Sequence, residues 1–99
     1  MFVHAVYFWL REDLSDQDRA TFAELVRSLA TIEDVHQGYI GRPADTDRAV
    51  IDRSYSWAEI LVFQDRAAHD RYQAHPVHRR FVERCGTFWK KVVIYDSEG

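Results

Sequence analysis

Phe2-Val3-His4-Ala5-Val6-Tyr7-Phe8-Trp9-Leu10 is a run of β-branched and aromatic residues without glycine or proline, and it reads as a strand. Successive strand residues face opposite sides of a sheet, which puts His4, Val6 and Phe8 on one face and Val3, Ala5, Tyr7 and Trp9 on the other. Both faces are largely apolar. Tyr55–Phe63 repeats the pattern, with Trp57, Leu61 and Phe63 opposed to Ala58, Ile60 and Val62. Lys91–Asp96 sets Val92 and Ile94 against Val93 and Tyr95. An antiparallel sheet with one wet face alternates apolar with polar residues, and these strands do not.

The segments between the strands supply helices. Ser15 followed by Asp18 is a variant of the capping box, and Phe22, Leu25, Val26 and Leu29 recur at i, i+3, i+4 and i+7, which predicts a helix over residues 16–30. Val35–Arg42 reads as a second, weaker strand ended by Gly41 and Pro43. The charged stretch 43–53 has no helical period and reads as a loop. Asp65 caps a short helix that runs to His75. Pro76 forces a break there and suits the first turn of a second helix, whose stripe is Val77, Phe81, Cys85 and Phe88. Strand, helix, strand, strand, helix pair, strand is the split βαβ order. The expected fold is therefore α+β and ferredoxin-like, a four-stranded antiparallel sheet in order 4-1-3-2 with helices on one face, in a single domain over residues 1–99.

Helices on right-handed crossovers lie on the same side of the sheet, so the second apolar face lacks cover from its own chain. Such a face marks an interface, and a symmetric homodimer covers it most simply. The expected dimeric α/β barrel has an interior lined by Ala5, Tyr7, Ala58, Ile60, Val62 and Val93. The alternative cover is the 43–53 loop, which offers little apolar surface beyond Val50 and Ile51. A chain of 99 residues buries only about 60–65% of its unfolded surface, which also favours oligomerisation.

Composition narrows the function. The net charge is −3 and no Lys/Arg run exceeds two residues, so a basic footprint for nucleic acid or an anionic membrane is missing. Met1–Leu10 is too short for a membrane span, has no basic leader and runs straight into Arg11-Glu12-Asp13; a signal peptide is not expected. Cys85 is the lone cysteine, which excludes an intrachain disulfide and makes the cytoplasm the expected compartment.

Tyr72-Gln73-Ala74-His75-Pro76-Val77-His78 is the most specific local pattern. Ala68, Tyr72 and His75 share one helical stripe, and His78 shares the next with Phe81, Val82 and Cys85, so Tyr72 and His78 are expected to point inward. A neutral imidazole beside a phenol can relay a proton and stabilise an oxyanion. Equally, a buried histidine can simply satisfy a backbone carbonyl. By strand parity His4 and Glu59 lie on the same side of neighbouring strands, and Glu59, a carboxylate in an apolar row, needs a partner, for which His4 is the nearest candidate. His36 and His69 read as solvent-facing, no His-Glu-x-x-His occurs, and neither a metal nor another cofactor is expected. Cys85 reads as core packing. Arg42, Arg48 and Arg53 alternate with aspartates and are expected to pair locally or across a dimer.

The chain resembles the stress-responsive dimeric α/β-barrel (Dabb) family. The resemblance is carried by Val3-His4-Ala5-Val6, Gly41-Arg42, Tyr55–Phe63, the signature Tyr72-x-x-His75-Pro76-x-His78, and Phe88-Trp89 before the last strand. It implies a homodimer of ferredoxin-like subunits. A plant member, olivetolic acid cyclase, closes a polyketide by aldol condensation with the tyrosine and final histidine of this pattern, which implies Tyr72 and His78 as an acid/base pair and His4 in the same cavity. The present chain departs from it by carrying Phe22 in place of a pocket tyrosine and Glu59 in place of an apolar wall residue. The expected site therefore has Tyr72 and His78 as catalytic groups and His4, Glu59, Trp57, Phe22, Phe81 and Trp89 as binding groups for a small apolar or carbonyl ligand. Two alternatives stand beside it: a non-catalytic stress or interaction protein, and a monooxygenase of the related dimeric class, for which Trp57 and Trp89 speak.

Overall fold

The computed structural model describes all residues, Met1–Gly99. Its elements are β1 (Phe2–Leu10), α1 (Asp16–Ser28) continued by a 3-10 turn (Leu29–Thr31), β2 (Gln37–Gly41), β3 (Trp57–Phe63), α2 (Arg66–Ala74), α3 (Pro76–Cys85) and β4 (Trp89–Glu98). The sheet runs β2-β3-β1-β4 with every neighbouring pair antiparallel, which is the expected order read from the other edge. No helix is long and apolar enough to cross a membrane.

Each helix start has a local cause. Ser15 Oγ accepts from Asp18 N at 3.0 Å and Asp65 Oδ1 accepts from Ala68 N at 2.9 Å, each satisfying an otherwise orphaned amide. Between α2 and α3 the backbone of His75 turns extended at ψ 142°, Pro76 occupies the first turn of α3, and His75 Nδ1 accepts from Val77 N at 3.1 Å. The break between the two helices is thus encoded in two adjacent residues.

Several boundaries differ from the sequence reading. β2 is shorter than Val35–Arg42, because Val35 turns in to pack against the core and His36 N bonds to Val62 O. β3 starts at Trp57 and leaves Tyr55 in the loop. α3 ends at Cys85, so Phe88 packs on the core from the following turn, where its amide reaches Cys85 O at 2.9 Å. β4 extends to Trp89 and Glu98 because β1 offers it pairing partners along its whole length.

Burial along β1 alternates strictly. Phe2, His4, Val6, Phe8 and Leu10 are buried under the helices, and Val3, Ala5, Tyr7 and Trp9 are only half-buried on the open face. The open face also carries Ile60, Val62, Val93, Tyr39 (65% exposed) and Tyr95 (66% exposed). The loop before β3 covers only one corner, where Trp9 Nε1 donates to Ser54 Oγ at 3.0 Å and the Tyr55 ring stands 5.0 Å from that of Tyr7. Val50 is 80% exposed, so the charged loop does not serve as the lid of this face. In the loop Arg53 pairs with Asp45 at 2.9 Å, and Arg42 donates to Ser56 O at 2.8 Å while lying over the Trp57 ring.

β2 approaches the 3-10 turn so closely that only glycine fits at one position. A Cβ on Gly38 would lie 2.9 Å from Ala30 Cβ and 3.1 Å from Leu61 Cδ2. Leu61 can rotate, but the Ala30 methyl moves only with its backbone. We predict that Gly38→Ala lowers unfolding free energy by about 1–3 kcal/mol, as overpacking does. Gly99→Ala, where nothing lies within 4 Å, should leave the urea midpoint unchanged, and equal midpoints for both variants would contradict this account.

Candidate functional site

The helix-side face of the sheet divides into an aromatic half and a polar half. At the Leu10 end of β1, Phe8 stands 5.3 Å from Phe22, 5.8 Å from Phe81 and 5.2 Å from Trp89 between ring centroids, and Phe22 stands 6.3 Å from Trp57. Four of the predicted binding residues, Phe22, Trp57, Phe81 and Trp89, therefore pack against one another. Phe22, Trp57 and Phe81 are buried, Trp89 is half-buried, and none of the four lines a cavity.

At the Phe2 end lies the polar half, seated under α2. Tyr72, 1% exposed, donates its hydroxyl to Glu59 Oε1 at 2.5 Å, and Glu59 is itself 2% exposed. Tyrosine from α2 is thus the partner of this carboxyl, in place of the expected His4. His4 turns to the other neighbouring strand, where register sets it opposite Asp96, and its Nδ1 meets Asp96 Oδ1 at 2.6 Å. His78, half-buried at the start of α3, packs its ring 4.9 Å from that of Tyr72 at 67°. The four polar residues singled out in the sequence do converge, with Tyr72 at the centre.

His69 is the correction to the sequence reading. Expected to face solvent, it is buried at 7% exposure, with its ring 4.6 Å from Phe2, 4.5 Å from His4, 5.3 Å from Phe63 and 6.1 Å from Tyr72. The signal was available, since His69 stands one residue after Ala68 and three before Tyr72 on the buried stripe of α2. Asp96 was also missed. Its parity matches Val92 and Ile94 on the helix side, but only the β1–β4 register aligns it with His4.

Burial governs the titration of this cluster. It pushes the Glu59 carboxyl above the ordinary carboxylate value, against the opposing effects of the Tyr72 hydrogen bond and the charge of His4. Burial, reinforced by Glu59, raises the Tyr72 phenol and keeps it a donor. His78 and His69 are both lowered, first by burial and next by the charge of His4, which favours neutral imidazoles. Cys85, buried in the core, is pushed up to about 11 by desolvation and stays a thiol. A donor phenol, a protonatable carboxyl and a neutral imidazole in contact can pass a proton, but only to a molecule that reaches them.

Two cavities mark the surface, and neither touches Tyr72, Glu59 or His78. One, of about 330 Å³, lies on the open face between Tyr7, Trp9, Asp52, Tyr55, Val93 and Tyr95. The other, of about 270 Å³, lies at the outer end of the polar cluster and is lined by Phe2, Arg66, His69, Asp70 and Asp96.

Comparison with known proteins places the chain. Residues 2–98 match the Stress responsive A/B Barrel Domain (Dabb) family, and the chain belongs to that family. A Dabb protein with a ferredoxin-like fold from Mesorhizobium loti superposes with a TM-score of 0.76 at 26% identity, over 99% of this chain and 95% of that one. A dimeric ferredoxin-like protein from Thermobifida fusca gives 0.78 at 16% identity, over 99% and 90%. Related chains from Bacteroides fragilis and Jannaschia are likewise described as dimeric. A hydroxynitrile lyase from Passiflora edulis gives 0.77 at 19% identity, over 97% and 90%, a likeness of fold. No curated protein matches the chain.

The Glu59 carboxyl makes stability depend on pH in a definite direction. Below its ordinary value of 4.5 both the folded and the unfolded chain hold the proton. Above it the unfolded carboxyl ionises while the buried one keeps its proton, so stability falls as pH rises until the folded group also ionises. Glu59→Gln keeps an acceptor for Tyr72 and removes this decline. Denaturation at a series of pH values should show the variant gaining on the parent from about pH 4.5 upward, and a pH-independent gap would refute the assignment.

Proposed function

We propose that this member of the stress-responsive A/B barrel family works as a homodimer joined through the open sheet faces, and that Tyr72, Glu59 and His78 form its interior framework and not a catalytic centre. For a stress-response role the support is the family description alone. One observation carries the framework reading: the Tyr72 hydroxyl is committed to a buried carboxyl inside a closed core, with no cavity at either group. A catalytic phenol must present its proton to substrate, and this one presents it to Glu59.

The dimer reading rests on Tyr39, Tyr95, Ile60, Val62 and Val93, which form a continuous apolar and aromatic surface on the open face. A surface of this kind associates, and several relatives of the same fold are described as dimeric. Sedimentation should show a dimer for the parent chain and a monomer with unchanged circular dichroism for Ile60→Arg. A parent chain that sediments as a monomer would sink this reading.

A second reading, acid–base handling of a carbonyl compound, is favoured by His78, a half-buried imidazole biased toward the neutral form at ring contact with Tyr72. It requires Glu59 to release the phenol when a ligand enters. Because a relative of the same fold is a hydroxynitrile lyase, a cyanohydrin such as mandelonitrile is the suitable probe. On the framework reading, parent and His78→Ala release benzaldehyde at the same background rate, and His78→Ala lowers the melting temperature. Release by the parent that His78→Ala abolishes while still folded would establish the second reading instead.

A further inference from the structure

We infer that His4, His69 and Asp96 form a binding site for a divalent transition-metal ion, with zinc as the best-suited occupant. The three residues come from β1, α2 and β4, and each brings one ligand atom into a group within 4.8 Å of one another. Two imidazoles and one carboxylate are a donor set that suits zinc and its neighbours and is poor for calcium or magnesium, which take oxygen ligands.

An independent observation points to the same place. Of the buried side-chain polar atoms, His69 Nε2 alone has no hydrogen-bond partner. A buried nitrogen without a partner carries a desolvation cost of about 1–3 kcal/mol, which the fold would shed by substituting an apolar residue unless the atom had a use. The other ring nitrogen, Nδ1, lies 3.7 Å from Asp70 Oδ1. A small rotation of the exposed Asp70 would make it the outer-sphere acceptor that orients a metal-bound histidine. Nε2 is thereby left as the ligand atom.

The surroundings allow entry and closure. The cavity of about 270 Å³ lined by Phe2, Arg66, His69, Asp70 and Asp96 opens directly beside the cluster. It provides both a route in and room for a fourth ligand, water or a bound anion near Arg66. Ligand atoms on a zinc ion sit about 2.0–2.2 Å from the metal and so closer together than the present spread. His4 Nδ1 and Asp96 Oδ1 already meet at 2.6 Å, so the ion would enter by parting that pair, and the adjustment falls to Asp96, whose side chain is 41% exposed on an edge strand, while His4 is held at the sheet centre. The cluster lies on the helix side of the sheet, and a dimer joined through the open faces leaves it accessible.

The test uses the untagged full chain, stripped with a chelator and titrated with Co²⁺ and Zn²⁺. Calorimetry should give one ion per chain, Co²⁺ should develop visible ligand-field bands, Zn²⁺ should displace them, and the melting temperature should rise with added zinc. Asp96→Asn, on the exposed edge, should fold normally. His69→Ala should weaken zinc binding at least about 100-fold, since loss of a direct ligand exceeds the loss of an outer-sphere one. His36→Ala, exposed and outside the three-residue group, should bind as the parent does. Absence of saturable binding in the parent chain, or binding unchanged in both Asp96→Asn and His69→Ala, would overturn the assignment.

Discussion

The position of β1 between β3 and β4 is the constraint on which the rest of the molecule depends. Its pairing with both neighbours gives every residue from Phe2 to Phe8 a fixed cross-strand partner on each side. Because side chains alternate, a slip of one residue would carry His4 and Phe8 to the open face and bring Tyr7 and Trp9 under the helices. The register therefore decides two things together. It aligns Phe8 with Phe22, Phe81 and Trp89 to build the core, and it aligns His4 with Asp96 to build the polar cluster.

A polar cluster in so small a core has an energetic logic. An ionised carboxylate at the Glu59 position would carry a desolvation penalty that one hydrogen bond offsets only in part, so burial biases the group toward its neutral form. A neutral acid and a phenol can then share a short hydrogen bond inside an apolar shell of Phe63, Leu61 and Val6. The other ionisable pair reaches from buried His4 to Asp96 on the edge strand, where Asp96 is exposed enough to stay hydrated. Charge tolerance thus increases along the cluster from Glu59 outward to Asp96, and the cavity opens at the tolerant end.

Much of this was legible in the sequence, and the limits follow from range. Element order, both helix caps, the His75-Pro76 break and the two-sided apolar strands depend on residues close in the chain, and all appear in the structure. Strand parity put His4 and Glu59 on one side and the helical stripes turned Tyr72 and His78 inward, and in the structure the four meet under the helices. Pairing within that group was not legible, because Glu59 chooses between His4 and Tyr72 by the height of α2 above the sheet, which no local pattern states. His69 was misplaced for a related reason: its neighbours Asp70 and Arg71 are charged, and a helix of nine residues has too few turns for its buried stripe to stand out. Closure of the core around Tyr72 depends on how side chains from four elements fill space, and a pattern of single residues does not carry that information.

The edges of the sheet bear on how copies of this chain would meet. β4 is an edge strand, and its outer course runs through Lys90, Lys91, Asp96, Ser97 and Glu98, charges and polar groups that oppose the addition of another strand. The other edge, β2, has only five residues, two of them glycine, and presents a short and weak template. Edge-to-edge growth is therefore disfavoured at both margins, while the open face stays apolar from Tyr39 across Ile60 and Ala5 to Tyr95. β4 adds a further element, since Val92 and Ile94 are exposed on its helix side, beyond the reach of the helices. A strand left uncovered on both faces is costly for an isolated chain. Pairing through the open face would cover Val93 and Tyr95 and so remove the open-face part of that cost, leaving Val92 and Ile94 on the helix side as they are, and it would not touch the margin where His4, His69 and Asp96 meet.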